Sequence, residues 1–241
     1  RHNYENVMAA AKGSLTVIAH VGCNNTKDSV ELAKHAESLG VDAIASIPPI
    51  YFHLPEKDIA KYWNDISAAA PNTDFIIYNI PQLAGVALTL PLLDEMMKNP
   101  RVIGVKNSSM PVYDIIQFRS HGAMVFNGPD EQFVSGLLAG AVGGIGGTYA
   151  AMPELYMTAR EKVLSGDIAA ATKLQDVCCK LIEGLCSGQC NMYAMIKEVI
   201  RLQGGPDAGD VRPPLAGLTE ADKAVAAQCA RDIEIAIQKY C

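Results

Sequence analysis

The sequence predicts an α/β fold, a (β/α)8 barrel followed by additional helices. Short β-branched apolar runs alternate with amphipathic segments up to about residue 150. Each of these runs ends in polar or glycine-rich residues, and the pattern from residue 151 onward is helical only. We therefore predict a barrel portion over residues 1–150 and C-terminal helices packed on it over residues 151–241.

Six apolar runs are predicted as parallel strands, because helical crossovers join parallel neighbours. The runs are TVIAHVG (16–22), DAIASIPPIY (42–51), FIIYNIP (75–81), VIGVKNSS (102–109), AMVFNGPD (123–130) and VGGIGGTY (142–149). An open doubly wound sheet is the alternative architecture. Such a sheet binds ligands mainly at its switch point, whereas a barrel uses the carboxyl ends of many strands. Polar residues at the ends of all six runs favour the barrel.

Helices are predicted between these strands from the 3.6-residue apolar period and from their end signals. The first runs from Lys27 to Leu39, with Gly40 suited to the position after its last turn. The next begins near Pro55, and another follows Thr89, a predicted N-cap. Further helices are predicted over residues 110–118, 131–140, 152–166, 167–186, 191–205 and 219–240.

The predicted strands are two fewer than a closed barrel of this type needs. The opening residues, RHNYENVMAAAKG (1–13), are typical of the second half of a helix whose preceding strand is absent. We therefore expect that the first two βα units are missing from this sequence, which would then carry strands 3 to 8 of the barrel.

Composition excludes several classes of function. The formal net charge of −6 argues against nucleic acid and anionic membranes as partners. No uncharged apolar run is long enough to span a bilayer, and we expect a cytoplasmic protein. The seven cysteines include no Cys-x-x-Cys pair and have no histidine suitably placed, so no metal site is expected.

The fourth apolar run ends in a lysine, a residue that is almost never fully buried unless it is paired. Tyr78 ends the third run, Lys106 the fourth, and Gly128, Asp130 and Glu131 follow the fifth. Desolvation at an apolar strand end favours the neutral form of an amine. A neutral lysine can attack a ketone to form a Schiff base, beside which a carbon–carbon bond can break. A nearby phenol such as Tyr78 can relay protons.

Structural explanations also exist for each of these residues. Lys106 could extend to solvent, and Tyr78 could cover the core with its hydroxyl satisfied. Asp130 and Glu131 could interact with the N-terminal end of a helix. The glycines of GGIGGTY (143–149) match no phosphate-loop motif, and close backbone packing accounts for them equally well.

Three segments together resemble one known family. YNIPQLAGV (78–86), GVKNSS (104–109) and FNGPDEQFVSGLLAGAVGGIGGTY (126–149) are similar to the pyruvate-dependent dihydrodipicolinate synthase/N-acetylneuraminate lyase family, and the resemblance covers essentially the whole chain. It implies a (β/α)8 barrel with C-terminal helices, a homotetramer, and no metal or organic cofactor. It also implies a class I aldolase-type lyase that cleaves N-acetylneuraminate to N-acetylmannosamine and pyruvate.

The resemblance implies roles for three catalytic residues. Lys106 is similar to the lysine that forms the Schiff base with the pyruvoyl keto carbon. Tyr78 matches the tyrosine that acts as acid and base on the C4 hydroxyl. Tyr51 resembles the aromatic residue that completes a proton relay, in some members across a subunit interface.

It also implies substrate-binding residues. Gly128, Asp130 and Glu131 match positions that hydrogen-bond the hydroxyl chain of sialic acid. Ser108 stands where the family often has a threonine close to the substrate, and Gly147 stands where some lyases have a serine facing the sugar.

Two further positions refine the resemblance. Leu83 occupies the place where the dihydrodipicolinate synthase branch has an arginine for a second carboxylate, which favours a lyase acting on a sugar acid. The family's Gly-Ser/Thr-Thr-Gly-Glu loop, which holds the pyruvate carboxylate, is absent from the sequence. Alternatives are a sister lyase that uses another sugar-derived 2-keto acid, and an inactive truncated chain.

Overall fold

A computed structural model describes residues 2–11 and 13–241 of the chain. Arg1 and Lys12, both within the predicted first helical segment, lie outside the described residues. The chain divides into a first unit, residues 1–128 and 139–142, and a second unit, residues 129–138 and 143–241. In the described part of the chain, no helix has the length and apolar character needed to cross a membrane.

Six strands form one sheet, and each strand neighbours the next in chain order. They are β1 (Ile18–His20), β2 (Ala43–Ser46), β3 (Asp74–Asn79), β4 (Val102–Asn107), β5 (Met124–Asn127) and β6 (Gly143–Gly144). All neighbouring pairs from β1 to β5 are parallel. This confirms the predicted α/β class with a parallel sheet. Strands β3, β4 and β5 each end at an asparagine of the predicted run, and the residues that follow in the run lie in loops.

The helices of the first unit lie before β1 and after each of the strands β1 to β4. They are α1 (His2–Ala11), α2 (Thr26–Leu39), α3 (Glu56–Ala68), α4 (Pro81–Ala84), α5 (Leu90–Met96) and α6 (Tyr113–Ser120). Two predicted end signals are confirmed. Gly40 has φ 75° and its N–H donates to the carbonyls of the last turn of α2. The Thr89 side chain accepts from Leu92 N–H at 3.3 Å at the start of α5.

Helix α3 fixes the loop that follows β1. Its Tyr62 is buried, and the Tyr62 hydroxyl donates to the carbonyl of Cys23 at 2.8 Å. The same hydroxyl lies 2.8 Å from Ser29 Oγ, which in turn accepts from Cys23 N–H at 2.9 Å. Buried polar groups of this kind are stable only when they are paired. The loop after β1 is therefore held in one conformation beside the strand end.

The two faces of the sheet differ in how they are covered. One face packs against the helices and contributes large apolar side chains, among them Ile44, Phe75, Ile77, Val105 and Val125. The other face carries a smaller cluster of Ala43, Ala45 and Ile76 with partly buried Ile18, Ile103 and Phe126. Because side chains alternate along a strand, residues His20, Tyr78 and Lys106 lie on this second face.

The second unit is mostly helical and has a core of its own. Its helices are α7 (Phe133–Leu138), α8 (Pro153–Leu164), α9 (Ile168–Leu185), α10 (Met192–Leu202) and α11 (Glu220–Tyr240). Short 3-10 turns cover Asp130–Gln132 and Thr148–Ala150. Fully buried Met152, Leu155 and Met195 lie in this core. The four predicted C-terminal helices are thus present.

Candidate active site

The register of β3 and β4 brings Tyr78 and Lys106 side by side. The two residues are paired directly across the strands, and both are half-buried. Lys106 Nζ lies 3.9 Å from the centroid of the Tyr78 ring. The face of an aromatic ring attracts a cation at this distance. The amine is therefore held at the carboxyl end of the sheet beside a phenol.

His20, at the end of β1, contacts Tyr78 from the opposite direction. The two rings are edge-on, with centroids 6.0 Å apart and an interplanar angle of 88°. Our interpretation of the sequence did not identify His20 as a site residue. The available signal was its position as the polar residue that ends an apolar strand, the same signal that singled out Lys106.

The His20 imidazole is held in its neutral form. Its Nε2 accepts a hydrogen bond from the backbone N–H of Ile47 at 3.2 Å, and a protonated Nε2 could not do so. Burial of the packed side of the ring lowers the pKa of His20, and the charge of Lys106 lowers it further. The open side of the ring remains exposed to solvent. His20 is thus a neutral donor and acceptor.

A row of buried asparagines lies on the other face of the same strand ends. Asn79, Asn107 and Asn127 are buried and occupy equivalent positions on β3, β4 and β5. Asn79 Nδ2 donates to Asn107 Oδ1 at 2.8 Å, and Asn79 Oδ1 accepts from Leu88 N–H at 3.0 Å. Ser109 N–H also donates to Asn107 Oδ1 at 3.4 Å, while Ser109 Oγ donates to Asp114 Oδ2 at 2.6 Å. These bonds lock the ends of the two strands that carry Tyr78 and Lys106.

Ser108 and Gly128 pack together just beyond the strand ends. Ser108 N–H donates to Asn79 O at 2.7 Å, and Gly128 N–H donates to Asn107 O at 2.8 Å. A Cβ at position 128 would lie 2.1 Å from Ser108 Oγ and 2.7 Å from Asn107 O. Only glycine fits there, because both distances are far below van der Waals contact. The structure therefore brings Ser108 and Gly128 together, each two residues beyond the paired Lys106 and Phe126.

Tyr51 is separate from this group. It lies in the loop after β2 and is 80% exposed. Its ring packs edge-on against Phe52 at 4.9 Å and 85°. Within the described residues, no hydrogen bond or ring contact joins Tyr51 to Tyr78 or Lys106. A relay through Tyr51 stays a prediction.

Asp130 is buried in the second unit and is bonded to Thr148. Asp130 Oδ2 accepts from Thr148 N–H at 2.8 Å and from Thr148 Oγ1 at 2.5 Å. A Cβ at Gly146 would lie 1.5 Å from Asp130 Oδ1, so the carboxylate packs directly on the glycine backbone. Two donors and a glycine-lined wall fix the orientation of this carboxylate.

Tyr156 extends that arrangement into the helical core. Its hydroxyl lies 2.7 Å from Thr148 Oγ1. Because Thr148 donates its single hydroxyl proton to Asp130, Tyr156 is the donor in this bond. Burial raises the pKa of the Tyr156 phenol well above its ordinary value, although the Thr148 hydrogen bond opposes the shift. Tyr156 is therefore a permanent donor.

Glu131 and Gly147 lie in the same unit as Asp130. The Glu131 side chain is exposed, and its carbonyl accepts from Cys179 Sγ at 3.4 Å. A Cβ at Gly147 would lie 2.9 Å from Tyr193 Cε1, so a larger residue would require the tyrosine ring to move. Both contacts are made within the protein, and the role of Glu131 and Gly147 in sugar binding stays a prediction.

The first unit contains the parts that an amine-dependent cleavage of a carbon–carbon bond requires. Lys106 supplies a nucleophilic nitrogen and Tyr78 supplies a phenol within contact of it. A parallel α/β sheet with its functional side chains at the carboxyl ends of the strands is the general arrangement of α/β enzymes.

Comparisons with known proteins agree with this class. The sequence profile of the dihydrodipicolinate synthetase family matches residues 3–233. The N-acetylneuraminate lyase of Mediterraneibacter gnavus is 60% identical over 239 residues, which are 98% of this chain and 76% of that protein. The N-acetylneuraminate lyase of Enterobacter sp. strain 638 is 36% identical over 90% of this chain and 73% of its own length. The chain belongs to the dihydrodipicolinate synthetase family.

A solved structure supports the fold. A catalytic lysine mutant of the Ruminococcus gnavus sialic acid aldolase superimposes with a TM-score of 0.97 at 59% sequence identity. The match covers 98% of this chain and 79% of that one. The six-stranded sheet and the helices around it are therefore those of the family.

Proposed function

We propose that this protein is a class I aldolase-type lyase that cleaves N-acetylneuraminate to N-acetylmannosamine and pyruvate. The observation that carries the proposal is the contact of Lys106 Nζ with the Tyr78 ring at paired strand ends. Further support comes from the N-acetylneuraminate lyases that are 60% and 36% identical to the chain. The R. gnavus sialic acid aldolase, 59% identical, has a catalytic lysine.

The proposed reaction begins at Lys106. The nitrogen of Lys106 adds to the keto carbon of the open-chain sugar acid, and loss of water gives an iminium. Tyr78 first gives up its own proton, which balances the proton taken up when water leaves. As the phenolate it then removes the proton of the C4 hydroxyl, the C3–C4 bond breaks, and the iminium accepts the electron pair as an enamine. N-acetylmannosamine leaves with a new aldehyde. Protonation of the enamine and addition of water then release pyruvate and regenerate the amine.

Substrate contacts are proposed from the family resemblance. In the first unit, Ser108 and Gly128 would border the reacting carbons, since both follow strand ends next to Tyr78 and Lys106. In the second unit, Asp130, Glu131 and Gly147 would bind the sugar hydroxyls. The fixed carboxylate of Asp130 is suited to accept from a hydroxyl.

Leu83 and Gly147 bear on the choice of substrate. Leu83, in α4, has an exposed apolar side chain that cannot bind a second carboxylate. This favours a sugar acid over the substrates of the synthase branch. Gly147 lacks the hydroxyl that some lyases place at the sugar, so a sister lyase acting on another sugar-derived 2-keto acid is the alternative. Turnover of a panel of such acids distinguishes the two functions.

We propose further that the sheet is part of a (β/α)8 barrel, that residues 1–150 form its barrel portion, and that residues 151–241 pack on it. We also propose a cytoplasmic homotetramer that uses no metal or organic cofactor, because the covalent bond to Lys106 supplies the chemistry. The match covers 79% of the R. gnavus aldolase chain, and that structure therefore contains further residues beyond those that match.

Borohydride reduction in the presence of pyruvate tests the proposal. We expect one reduced pyruvoyl group on Lys106, located by peptide mass mapping. Lys106→Ala should carry no adduct and should lose at least about 10³-fold in kcat. Lys61→Ala, an exposed lysine paired with Asp65 on α3, is the matched control and should keep both adduct and turnover. An adduct elsewhere, or none, would contradict the mechanism.

A further inference from the structure

The turn that carries Asp130 and Glu131 has little support of its own. Residues Asp130–Gln132 form a single 3-10 turn, and α7 after it has only six residues. A 3-10 turn has poorer hydrogen-bond geometry than an α-helix, and the first N–H groups of a helix have no partner within the helix. The proposed function assigns the binding of sugar hydroxyls to the two carboxylates of this turn. Their positions therefore depend on groups outside the turn.

Gln175, a half-buried residue of α9, binds the main chain at both ends of this segment. Its Oε1 accepts from Val134 N–H at 2.8 Å, and its Nε2 donates to Asp130 O at 3.1 Å. Because a backbone N–H can only donate, the bond to Val134 identifies Oε1, and the amide nitrogen then faces the Asp130 carbonyl. A single side-chain amide thus holds the first residue of the turn and the second residue of α7.

Cys179, one helical turn further along α9, extends this contact to Glu131. The Gln175 Nε2 atom lies 3.6 Å from Cys179 Sγ, and the thiol of Cys179 donates to Glu131 O at 3.4 Å. The amide therefore directs one proton to the Asp130 carbonyl and the other to the sulfur. In this way α9 contacts the carbonyls of both residues whose carboxylates are proposed to bind the sugar.

The Asp130 carboxylate has a separate anchor. Thr148 donates to Asp130 Oδ2 through its N–H and through its hydroxyl, so Thr148 fixes the Asp130 side chain. The Glu131 side chain is exposed, and the direction in which it projects is set by its main chain. The contacts from α9 hold that main chain. Loss of the Gln175 amide should therefore displace Glu131 more than the Asp130 carboxylate.

We infer that Gln175 is a positioning residue, which sets where the carboxylates of Asp130 and Glu131 meet the sugar hydroxyls. The inference rests on the proposed function, in which these two residues bind the sugar portion of the substrate. It assigns to Gln175 an effect on binding of that portion alone. The bond between pyruvate and Lys106 should not depend on Gln175, because pyruvate has no sugar hydroxyls.

Gln175→Met tests the inference by comparing two ligands of the same protein. Methionine is similar in length and volume but has neither the N–H nor the oxygen of the amide. KM for N-acetylneuraminate should rise about fivefold to tenfold, as expected for the loss of these hydrogen bonds, with kcat within about twofold of the parent. The pyruvate concentration that half-saturates borohydride trapping on Lys106 should stay the same. Partial unfolding would instead lower the apparent kcat and leave KM unchanged.

Two variants serve as controls for Gln175→Met. Gln238→Met changes an exposed glutamine of α11 whose Nε2 donates to Glu234 at 2.7 Å, and it should alter neither KM nor pyruvate half-saturation. Glu131→Ala removes a proposed sugar contact directly. It should raise KM for N-acetylneuraminate and leave pyruvate half-saturation unchanged, as Gln175→Met does.

Gln175→Glu gives a second readout in the event that the methionine variant does not fold. The introduced carboxylate keeps the shape of the side chain and an oxygen that can accept from Val134 N–H. At neutral pH its other oxygen places a lone pair against the Asp130 carbonyl, where the parent has a donor. KM for N-acetylneuraminate should therefore rise at least as much as in Gln175→Met, with pyruvate half-saturation unchanged.

The outcomes separate this inference from the proposed function. Unchanged KM in both Gln175 variants overturns the role of Gln175, and unchanged KM in Glu131→Ala contradicts the proposed sugar contact as well. An equal rise in KM and in pyruvate half-saturation, or loss of the pyruvate adduct in both Gln175 variants, also overturns it, because Gln175 would then support the whole fold. Failure of the parent protein to form an adduct on Lys106 overturns the proposed function itself.

Discussion

Tyr78 has contacts on two sides that restrict its ring. The edge of His20 approaches it at 6.0 Å, and Lys106 Nζ lies 3.9 Å from its centroid. Both contacts involve the ring, so neither depends on the phenolic hydroxyl. The hydroxyl is therefore the group left to move a proton in the proposed reaction. The two functions of this residue can be separated by removing one oxygen atom.

Tyr78→Phe should leave Schiff-base formation intact and slow the cleavage. General acid–base catalysis contributes about 10²- to 10⁴-fold, and kcat should fall by that order. The ring contacts with His20 and Lys106 are retained, so the pyruvate adduct should still form. Steady-state kinetics with N-acetylneuraminate and borohydride trapping with pyruvate give the two readouts.

Tyr113→Phe is the matched control for this change. Tyr113 begins α6, and its side chain is 63% exposed. Its loss of a hydroxyl should change kcat little. A full kcat in Tyr78→Phe would remove Tyr78 from the proton transfer, and a missing adduct would assign it to the formation of the Schiff base.

At the scale of elements, the ends of β3 and β4 carry different residues on their two faces. Tyr78 and Lys106 are on one face, and the next residues, Asn79 and Asn107, are on the helix-covered face. The hydrogen bond of 2.8 Å between the Asn79 and Asn107 side chains therefore connects the two strands on the face opposite to Tyr78 and Lys106. We expect this hydrogen bond to help fix the distance between the Lys106 amine and the Tyr78 phenol.

Asn107→Ala should destabilise the first unit. Asn79 Nδ2 would lose the oxygen that accepts from it, and leaving a buried donor unpaired costs about 1–3 kcal/mol. Urea unfolding should show a loss of that size in the free energy of unfolding. Asn72→Ala, at an exposed asparagine between α3 and β3, should change it by less than about 0.5 kcal/mol. Equal losses of unfolding free energy in Asn107→Ala and Asn72→Ala would show that the buried hydrogen bonds of Asn107 do not stabilise the first unit.

Periodicity predicted where most elements lie, but not how they pair. The runs at 75–81 and 102–109 correspond to β3 and β4, and the helix predicted to begin near Pro55 is α3. The hydrogen bond between Asn79 and Asn107 was not predicted. It depends on the pairing register of β3 and β4, which shifts by one residue between Phe75 and Ile76. The approach of His20 to Tyr78 was missed for a related reason. His20 is on β1 and Tyr78 is on β3, and β2 lies between them in the sheet. The pattern of a single strand does not show which side chains meet across a third strand.

At the scale of the whole molecule, the loop after β2 exposes an apolar surface. Tyr51 is 80% exposed and Phe52 is 69% exposed, and the two rings pack on each other. Adjacent exposed aromatic residues of this kind are typical of interaction sites between proteins. The resemblance of Tyr51 to a residue that acts across a subunit interface in some relatives agrees with such a use. The proposed homotetramer would cover this loop.

Phe52→Asp should therefore prevent the tetramer from forming. A carboxylate buried at a subunit contact without a partner is strongly unfavourable, whereas the same carboxylate on an isolated subunit is solvated. Light scattering coupled to size-exclusion chromatography should give a tetramer for the parent protein and a smaller species for the variant. Leu164→Asp, at a leucine that is 68% exposed at the end of α8, is the matched control and should remain tetrameric. A tetrameric Phe52→Asp protein would place the interface elsewhere, and a monomeric parent would contradict the proposed assembly.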